Sequence, residues 1–404
     1  MVKKPCILIV GMSNSIHVAR WINMILDNDW DIHLFPCEDN GTLHPEIKGI
    51  TVHHSFYSLK KNNVNSSKFE GICIPGKSEL AELIAGGCRF STKQIKKNWL
   101  RDRLVNVIKD IKPDIIHSME FQKACYLTLE AKKVMKDFPY WIATNWGSDI
   151  YLFSRLKQHE EKIREVLLNC DFYTCECHRD LVLARRLGYK GNSPPIIPNA
   201  GGIKLEEIKP LRDQRKPSER YTIMVKGYQG VFGRALTALR AIERCADLLK
   251  EYEIIVYSAD WSPEVVIYAE LIAQSTGLRI KIIPSTTTWK GILRLHGNAR
   301  TSIGLSISDG LCTSFLEAIA MGSFPIQSYT ACVDEWIKNG ETGIIVHPEE
   351  PREVEDAIRR ALQDDILVDQ AAESNWNTVV EKLDYYKIKT IVKDMYEKIL
   401  NRKN

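Results

Sequence analysis

Two short stretches carry the residue types that chemistry on a phosphate or a sugar needs. The first is Ser308-Asp309-Gly310-Leu311-Cys312-Thr313-Ser314-Phe315-Leu316-Glu317. It reads as a strand end, a glycine turn and a helix starting near Thr313. The free backbone N–H groups at such a start bind phosphate, helped by the helix dipole. Asp309 precedes the turn and Glu317 lies one turn into the helix, so both offer carboxylates to sugar hydroxyls. A capping box, Ser314-x-x-Glu317, would also account for Glu317, but not for Asp309 or the turn. The second stretch is Met224-Val225-Lys226-Gly227-Tyr228-Gln229-Gly230-Val231-Phe232-Gly233-Arg234. Lys226 ends a strand and Arg234 starts a helix. Two cations beside a glycine-rich turn suit a diphosphate.

Three further turns follow strands in the first half. Gly11-Met12-Ser13-Asn14-Ser15-Ile16-His17 lacks the second and third glycines of a dinucleotide fingerprint. Ser13 and Asn14 are polar candidates there, with helix capping as the plain alternative. His117-Ser118-Met119-Glu120 ends another strand, and a lone histidine in that place serves either catalysis or structure. Trp146-Gly147-Ser148-Asp149 could orient a polar substrate or cap a helix.

Three motifs carry less. Asp29-Trp30-Asp31 spells a two-carboxylate metal motif, yet it precedes its strand and so lies at the wrong sheet edge. Cys175-Glu176-Cys177-His178 has no second Cys/His pair nearby. No metal site is expected. Lys93–Lys109 is basic, with Trp99, Leu100, Leu104 and Val107 interleaved. It reads as a solvated amphipathic helix, with a surface resting on anionic lipid as the other reading.

The elements that position these residues repeat one rhythm. Apolar runs at Cys6–Val10, Asp31–Phe35, Ile50–His53, Asp114–His117, Tyr140–Thr144 and Asp171–Cys175 alternate with helical stretches at 16–26, 93–111 and 121–135. Ile196–Ile197 is a weaker strand. Residues 199–220 break the rhythm with Pro210 and Pro217. Strands then resume at Tyr221–Val225, Glu253–Ser258, Arg279–Ile283, Ser302–Ser306, Phe324–Gln327 and Gly343–Val346. This predicts two doubly wound parallel α/β domains, 1–200 and 201–384. The last helix, about 385–404, is expected to pack back on the first domain. Ligands in such sheets sit beyond the carboxyl ends of the strands, and the facing edges of two domains make the default cleft.

Composition narrows the class. With 55 Lys+Arg against 51 Asp+Glu on 404 residues, the net charge of +4 is too weak to argue for nucleic acid. The 11 cysteines are scattered and odd in number, which suits reduced thiols in a cytoplasmic setting. The apolar run at Cys6–Val10 is too short for a signal-peptide core, and no stretch is long enough to span a membrane. A membrane contact, if made, is peripheral.

The pattern resembles the retaining, nucleotide-sugar-dependent glycosyltransferases of family four, which have the GT-B fold of two Rossmann-like domains facing a central cleft. The match is strongest over 302–347: Asp309 and Glu317 stand for the family's acidic pair, and Met321-Gly322-Ser323-Phe324-Pro325-Ile326 and Glu335-Trp336-Ile337-Lys338-Asn339-Gly340 continue it. Pro198-Asn199 and Ser15-Ile16-His17-Val18-Ala19-Arg20-Trp21 are similar too. The resemblance implies that Glu317 holds the nucleotide ribose and Asp309 the donor sugar. The amides of Gly310, Leu311, Cys312 and Thr313, with Gly227, Lys226 and Arg234, would take the diphosphate. In this chain the order of the two cations is reversed. Ser13 and Asn14 join the donor side, and His17, Glu120, Trp146 and Asp149 the acceptor side. His117 stands at the family's catalytic histidine motif, which reads His117-Ser118-Met119 here. The implied enzyme moves a hexosyl or N-acetylhexosaminyl group from a UDP-sugar, or else a GDP-sugar, to a hydroxyl of a glycan, lipid-linked or small-molecule acceptor, without metal or other cofactor. A sugar-nucleotide epimerase or hydrolase, or a non-catalytic sugar-nucleotide-binding subunit, are the alternatives.

Overall fold

The computed structural model describes residues 4–38, 42–58, 67–74, 79–95, 98–192 and 195–402. The chain forms two compact units, Met1–Gly201 with Lys389–Asn404, and Gly202–Ile388.

The first unit holds seven parallel strands: β1 (Cys6–Gly11), β2 (Asp31–Pro36), β3 (Thr51–Ser58), β4 (Lys68–Ile74), β5 (Ile115–Met119), β6 (Tyr140–Thr144) and β7 (Phe172–Thr174). Their spatial order is β4-β3-β2-β1-β5-β6-β7. β1 and β5 are buried along their whole length, as a sheet covered on both faces requires. The helix Ile16–Ile25 starts at Ser15, whose hydroxyl accepts from the His17 N–H, and buries Val18, Ala19, Trp21, Ile22, Met24 and Ile25. The last helix, Tyr385–Leu400, returns to this unit: the buried Tyr396 hydroxyl accepts from Trp21 Nε1 at 3.0 Å.

Four local expectations change. The stretch 93–111 is not one helix. Asn98 leaves helical backbone (φ −107°, ψ 10°), and a helix Glu79–Ile95 is separated from another at Trp99–Ile111. Leu104 and Val107 of the latter lie in the core, so its apolar stripe packs inward. β4 was not expected, because Lys68, Glu70 and Gly71 interrupt its apolar pattern. Ile196 makes only an isolated bridge to Cys175. The helix expected over 121–135 is a π-helical turn, Phe121–Cys125, followed by Tyr126–Lys133. The polar stretch Lys60–Lys68, whose residues suit either an acceptor loop or a merely mobile one, lies mostly outside the described residues.

The second unit holds β8 (Thr222–Lys226), β9 (Glu253–Tyr257), β10 (Arg279–Ile282), β11 (Thr301–Gly304), β12 (Phe324–Ser328) and β13 (Ile344–Val346). All pairings are parallel, in the order β10-β9-β8-β11-β12-β13. Its core joins Ile223 and Val225 of β8 to Leu239 and Ile242 of the helix Ala235–Arg244.

Both sheets reverse direction once. The strand order turns at β1/β5 in the first and at β8/β11 in the second, and a crevice beyond the carboxyl ends forms at such a switch point.

Candidate active site

The two stretches singled out by their chemistry flank the switch point of the second sheet. Lys226 is the last residue of β8, and the 305–312 turn follows β11. Gly227 makes the close approach possible. Its N–H donates to the Tyr257 carbonyl at 2.7 Å, and a Cβ there would sit 2.8 Å from Ala259 Cβ, inside van der Waals contact. Lys226 Nζ reaches across to Cys312 Sγ at 3.1 Å. Burial works against the ammonium's charge. The Cys312, Asp309 and Tyr257 side chains outweigh it and hold the lysine pKa above its ordinary value.

The helix Thr313–Ala320 begins behind this lysine. Cys312 is its N-cap, and no side chain caps the first turn. The capping box is therefore not formed, and Glu317 does something else: its buried Oε1 accepts from Trp289 Nε1 at 2.7 Å. Asp309 Oδ1 accepts from the Gly310 N–H at 2.9 Å, which shapes the turn and engages that amide. Leu311 and Cys312 are buried and Thr313 is half-buried. The loops after β9 and β10 are tied together by a bond from the Ser285 N–H to Asp260 Oδ1 at 3.1 Å.

Arg234 is turned to another task. Its Nη1 donates to the Gly230 and Gly233 carbonyls at 3.2 and 2.7 Å, and its Nε pairs with Glu349 at 2.9 Å. It fixes the glycine-rich turn rather than standing free for an anion.

The first sheet corrects several expectations. His117 is fully buried, with Nδ1 2.5 Å from the Tyr396 hydroxyl and Nε2 2.5 Å from Thr144 Oγ1. Burial holds its pKa down to about 3, so the ring is neutral and both nitrogens are engaged. It is a core histidine and not a group presented to a substrate. Ser13 is buried, and its hydroxyl donates to the Thr42 carbonyl at 2.7 Å. Only Asn14 is exposed. Glu120 and Asp149 are buried as well. Glu120 caps the 121–125 turn, accepting from the Lys123 N–H and, at 3.1 Å, the Ala124 N–H. Asp149 Oδ2 accepts from the Phe121 and Trp146 N–H groups at 3.0 and 2.8 Å. Burial, then the Glu120 charge, push the Asp149 carboxyl well up; burial raises Glu120 too. Glu120 has φ 81° and ψ 148°, a strained conformation for a side-chain-bearing residue. These two carboxyls build the edge on which Trp146 sits.

His17 and Trp146 form an edge-to-face pair, 5.3 Å between ring centres. Sequence reasoning missed their neighbours Asn145 and Asn199. Asn199 Nδ2 donates to the Asn145 carbonyl at 3.1 Å, and Asn145 Nδ2 to Asp180 at 2.8 Å. Trp146 Nε1, Asn145 Oδ1 and Asn199 Oδ1 are buried without a hydrogen-bond partner. Buried polar atoms ordinarily find partners, so an orphaned set at a strand's carboxyl end marks a place for a polar ligand.

Asp29 pairs with Lys4, and the Cys175 thiol donates to the Cys177 carbonyl at 3.3 Å. Among the described residues, no helix is long and apolar enough to cross a membrane.

Residues 238–377 match the family model "Glycosyl transferases group 1", and residues 78–174 match "Glycosyl transferase 4-like". No curated protein sequence matches the chain. Among solved structures, the chain is similar to a sucrose-phosphate synthase from Thermosynechococcus elongatus, with a TM-score of 0.69 at 12% identity, covering 99% of this chain and 100% of that one. It is similar also to Anabaena HepE in complex with UDP-glucose, with a TM-score of 0.67 at 13% identity, covering 97% and 99%. An Escherichia coli trehalose-6-phosphate protein bound with UDP-2-fluoro glucose gives a TM-score of 0.64 at 9% identity, covering 98% and 99%. The two doubly wound sheets are thus the GT-B fold, and with the two matched segments they support a glycosyltransferase of that fold.

Proposed function

We propose that the chain is a retaining glycosyltransferase that moves a hexosyl or N-acetylhexosaminyl group from a nucleoside diphosphate sugar to an acceptor hydroxyl. A UDP-sugar is the favoured donor, because the solved relatives HepE and the E. coli protein hold UDP-sugars. One observation carries the reading: Lys226 Nζ, the uncapped start of helix Thr313–Ala320 and the Glu317 carboxylate flank one switch point. A diphosphate needs positive charge and free amides, and a ribose needs a carboxylate, in that arrangement.

In this reading the sugar–phosphate bond breaks and its electron pair goes to the departing diphosphate oxygen. Lys226 and the amides of Cys312 and Thr313 stabilise that charge, worth most in a site that excludes water. The acceptor oxygen bonds to the anomeric carbon on the same face, and its proton passes to the leaving phosphate oxygen. Asp309 orients the donor sugar and Glu317 the ribose. Arg234 is a positioning residue for the 227–233 turn. The acceptor side is assigned to Trp146, Asn145 and Asn199, through their orphaned polar atoms, with His17 packed edge-to-face on Trp146. The chemistry asks for no metal at the donor. The test of retention is ¹H NMR of the first product formed from an α-linked donor: an α-anomer supports the reading, and a β-anomer overturns it.

A further inference from the structure

We propose that Cys6, Asp31 and His33 form a site for a divalent transition metal of zinc-like chemistry at the amino-terminal edge of the first sheet. Cys6 and Asp31 are register partners on β1 and β2, and His33 lies two residues beyond Asp31, on the same face. One ligand atom from each, a thiol sulfur, a carboxylate oxygen and a ring nitrogen, all lie within 4.8 Å of one another.

The histidine argues for a cation. His33 is only 8% exposed, and its Nε2 makes no hydrogen bond, although Asp31 Oδ2 is 3.2 Å away. That spacing without hydrogen-bond alignment is what two ligands of one ion show. Bonds of about 2.0–2.3 Å in a tetrahedral site put neighbouring ligand atoms roughly 3.3–3.7 Å apart.

Proton placement along the row of histidines points the same way. His33 Nδ1 lies 2.9 Å from His53 Nε2, and His53 Nδ1 lies 3.4 Å from Glu70 Oε2. If His33 Nδ1–H donates to His53, then His53 Nδ1–H faces the Glu70 carboxylate. This leaves the His33 Nε2 lone pair against the Asp31 carboxylate. The opposite tautomers only move the clash to Glu70. A metal ion at Nε2 removes it, and a ligating imidazole ordinarily donates its other N–H to a nearby acceptor. The neighbouring ammonium groups of Lys4 and Lys68 are paired with Asp29 and Glu70. One thiolate, one imidazole and one carboxylate suit zinc, and the exposed Asp31 side leaves room for a water as fourth ligand. The six residues of β1 separate this edge from the strand's carboxyl end by roughly 17 Å. The ion would pin the starts of β1 and β2 and take no part in sugar transfer.

The test uses the full chain, stripped with a chelator and titrated with Co²⁺. One equivalent should produce a thiolate-to-cobalt charge-transfer band, which Zn²⁺ displaces. The band should be lost in Cys6→Ser and His33→Gln and kept in Cys245→Ser, a control in the other unit. Zn²⁺ should raise the Tm of the wild type but not of the first two variants. Should those variants fail to fold, Asp31→Asn on the exposed side should still fold and bind Co²⁺ at least ~10-fold more weakly. No band, a band that persists in Cys6→Ser, or unchanged affinity in Asp31→Asn overturns the proposal.

Discussion

Lys226 and Cys312 stand 86 positions apart in the chain, yet the ammonium sits 3.1 Å from the thiol at the start of helix Thr313–Ala320. The pairing puts the cation beside the amides that would share a phosphate with it. Lys226→Ala should cut turnover by ~10²-fold or more at saturating donor, the cost of one lost charge stabiliser. Cys312→Ser keeps a polar partner for the lysine and should retain most of the activity. Initial rates of the two variants decide this, and near-normal turnover in Lys226→Ala would remove the lysine from the reaction.

Trp289 holds Glu317 from 28 residues away. Trp289→Phe keeps an aromatic ring and deletes the donor. The donor KM should then rise on the order of tenfold, as loss of one charge-assisted hydrogen bond allows, with kcat little changed. A drop in kcat at unchanged KM would instead tie Glu317 to the transition state.

Glu120 caps the 121–125 turn from a strained backbone and is half of a buried carboxyl pair whose ionisation is suppressed. Glu120→Ala should lower stability by about 1–2 kcal/mol in urea unfolding, the range for a lost cap. Glu120→Gln keeps the accepting oxygen and should cost less than half as much. Equal losses would mean that the charge, not the cap, matters.

His117 gives a pH signature. Its folded pKa of about 3 lies below the ordinary 6.5, so below pH 6.5 the unfolded chain takes a proton that the folded one refuses. Its contribution to stability is therefore full above pH 6.5 and lost as pH falls toward 3, with a slope of up to about 1.4 kcal/mol per pH unit. His117→Gln should be less stable at pH 7, and the gap to wild type should narrow between pH 6 and 4. A gap that is flat with pH would contradict a neutral, buried ring.

The two sheets were legible because covered parallel strands read as short apolar runs, as at Cys6–Val10 and Glu253–Ser258. β4 was not, because its charged residues and Gly71 look like loop; the glycine is needed where φ is +117° against the His54 carbonyl. Lys226 and Asp309 could be picked as candidates because they sit at a strand end and in the turn before a helix, and Glu317 because it lies one turn into that helix. Their partners could not. Trp289 for Glu317, and Tyr396 for His117 across 279 residues, are contacts between distant elements. Periodicity orients a side chain but does not say what it meets. For the same reason the residue pattern left His117 open between catalysis and structure, since the helix that returns to cover it is distant in the chain.

The most direct measurement is a thermal-shift titration of UDP-, GDP- and ADP-sugars on the wild type, Lys226→Ala and Glu317→Ala. A ligand that binds only the folded chain raises Tm with concentration, as RT ln(1 + [L]/Kd) requires. The account predicts that one nucleotide class, UDP first, raises the wild-type Tm and that the shift shrinks in both variants. No shift with any sugar nucleotide, or equal shifts in all three proteins, would contradict a donor site at Lys226 and Glu317.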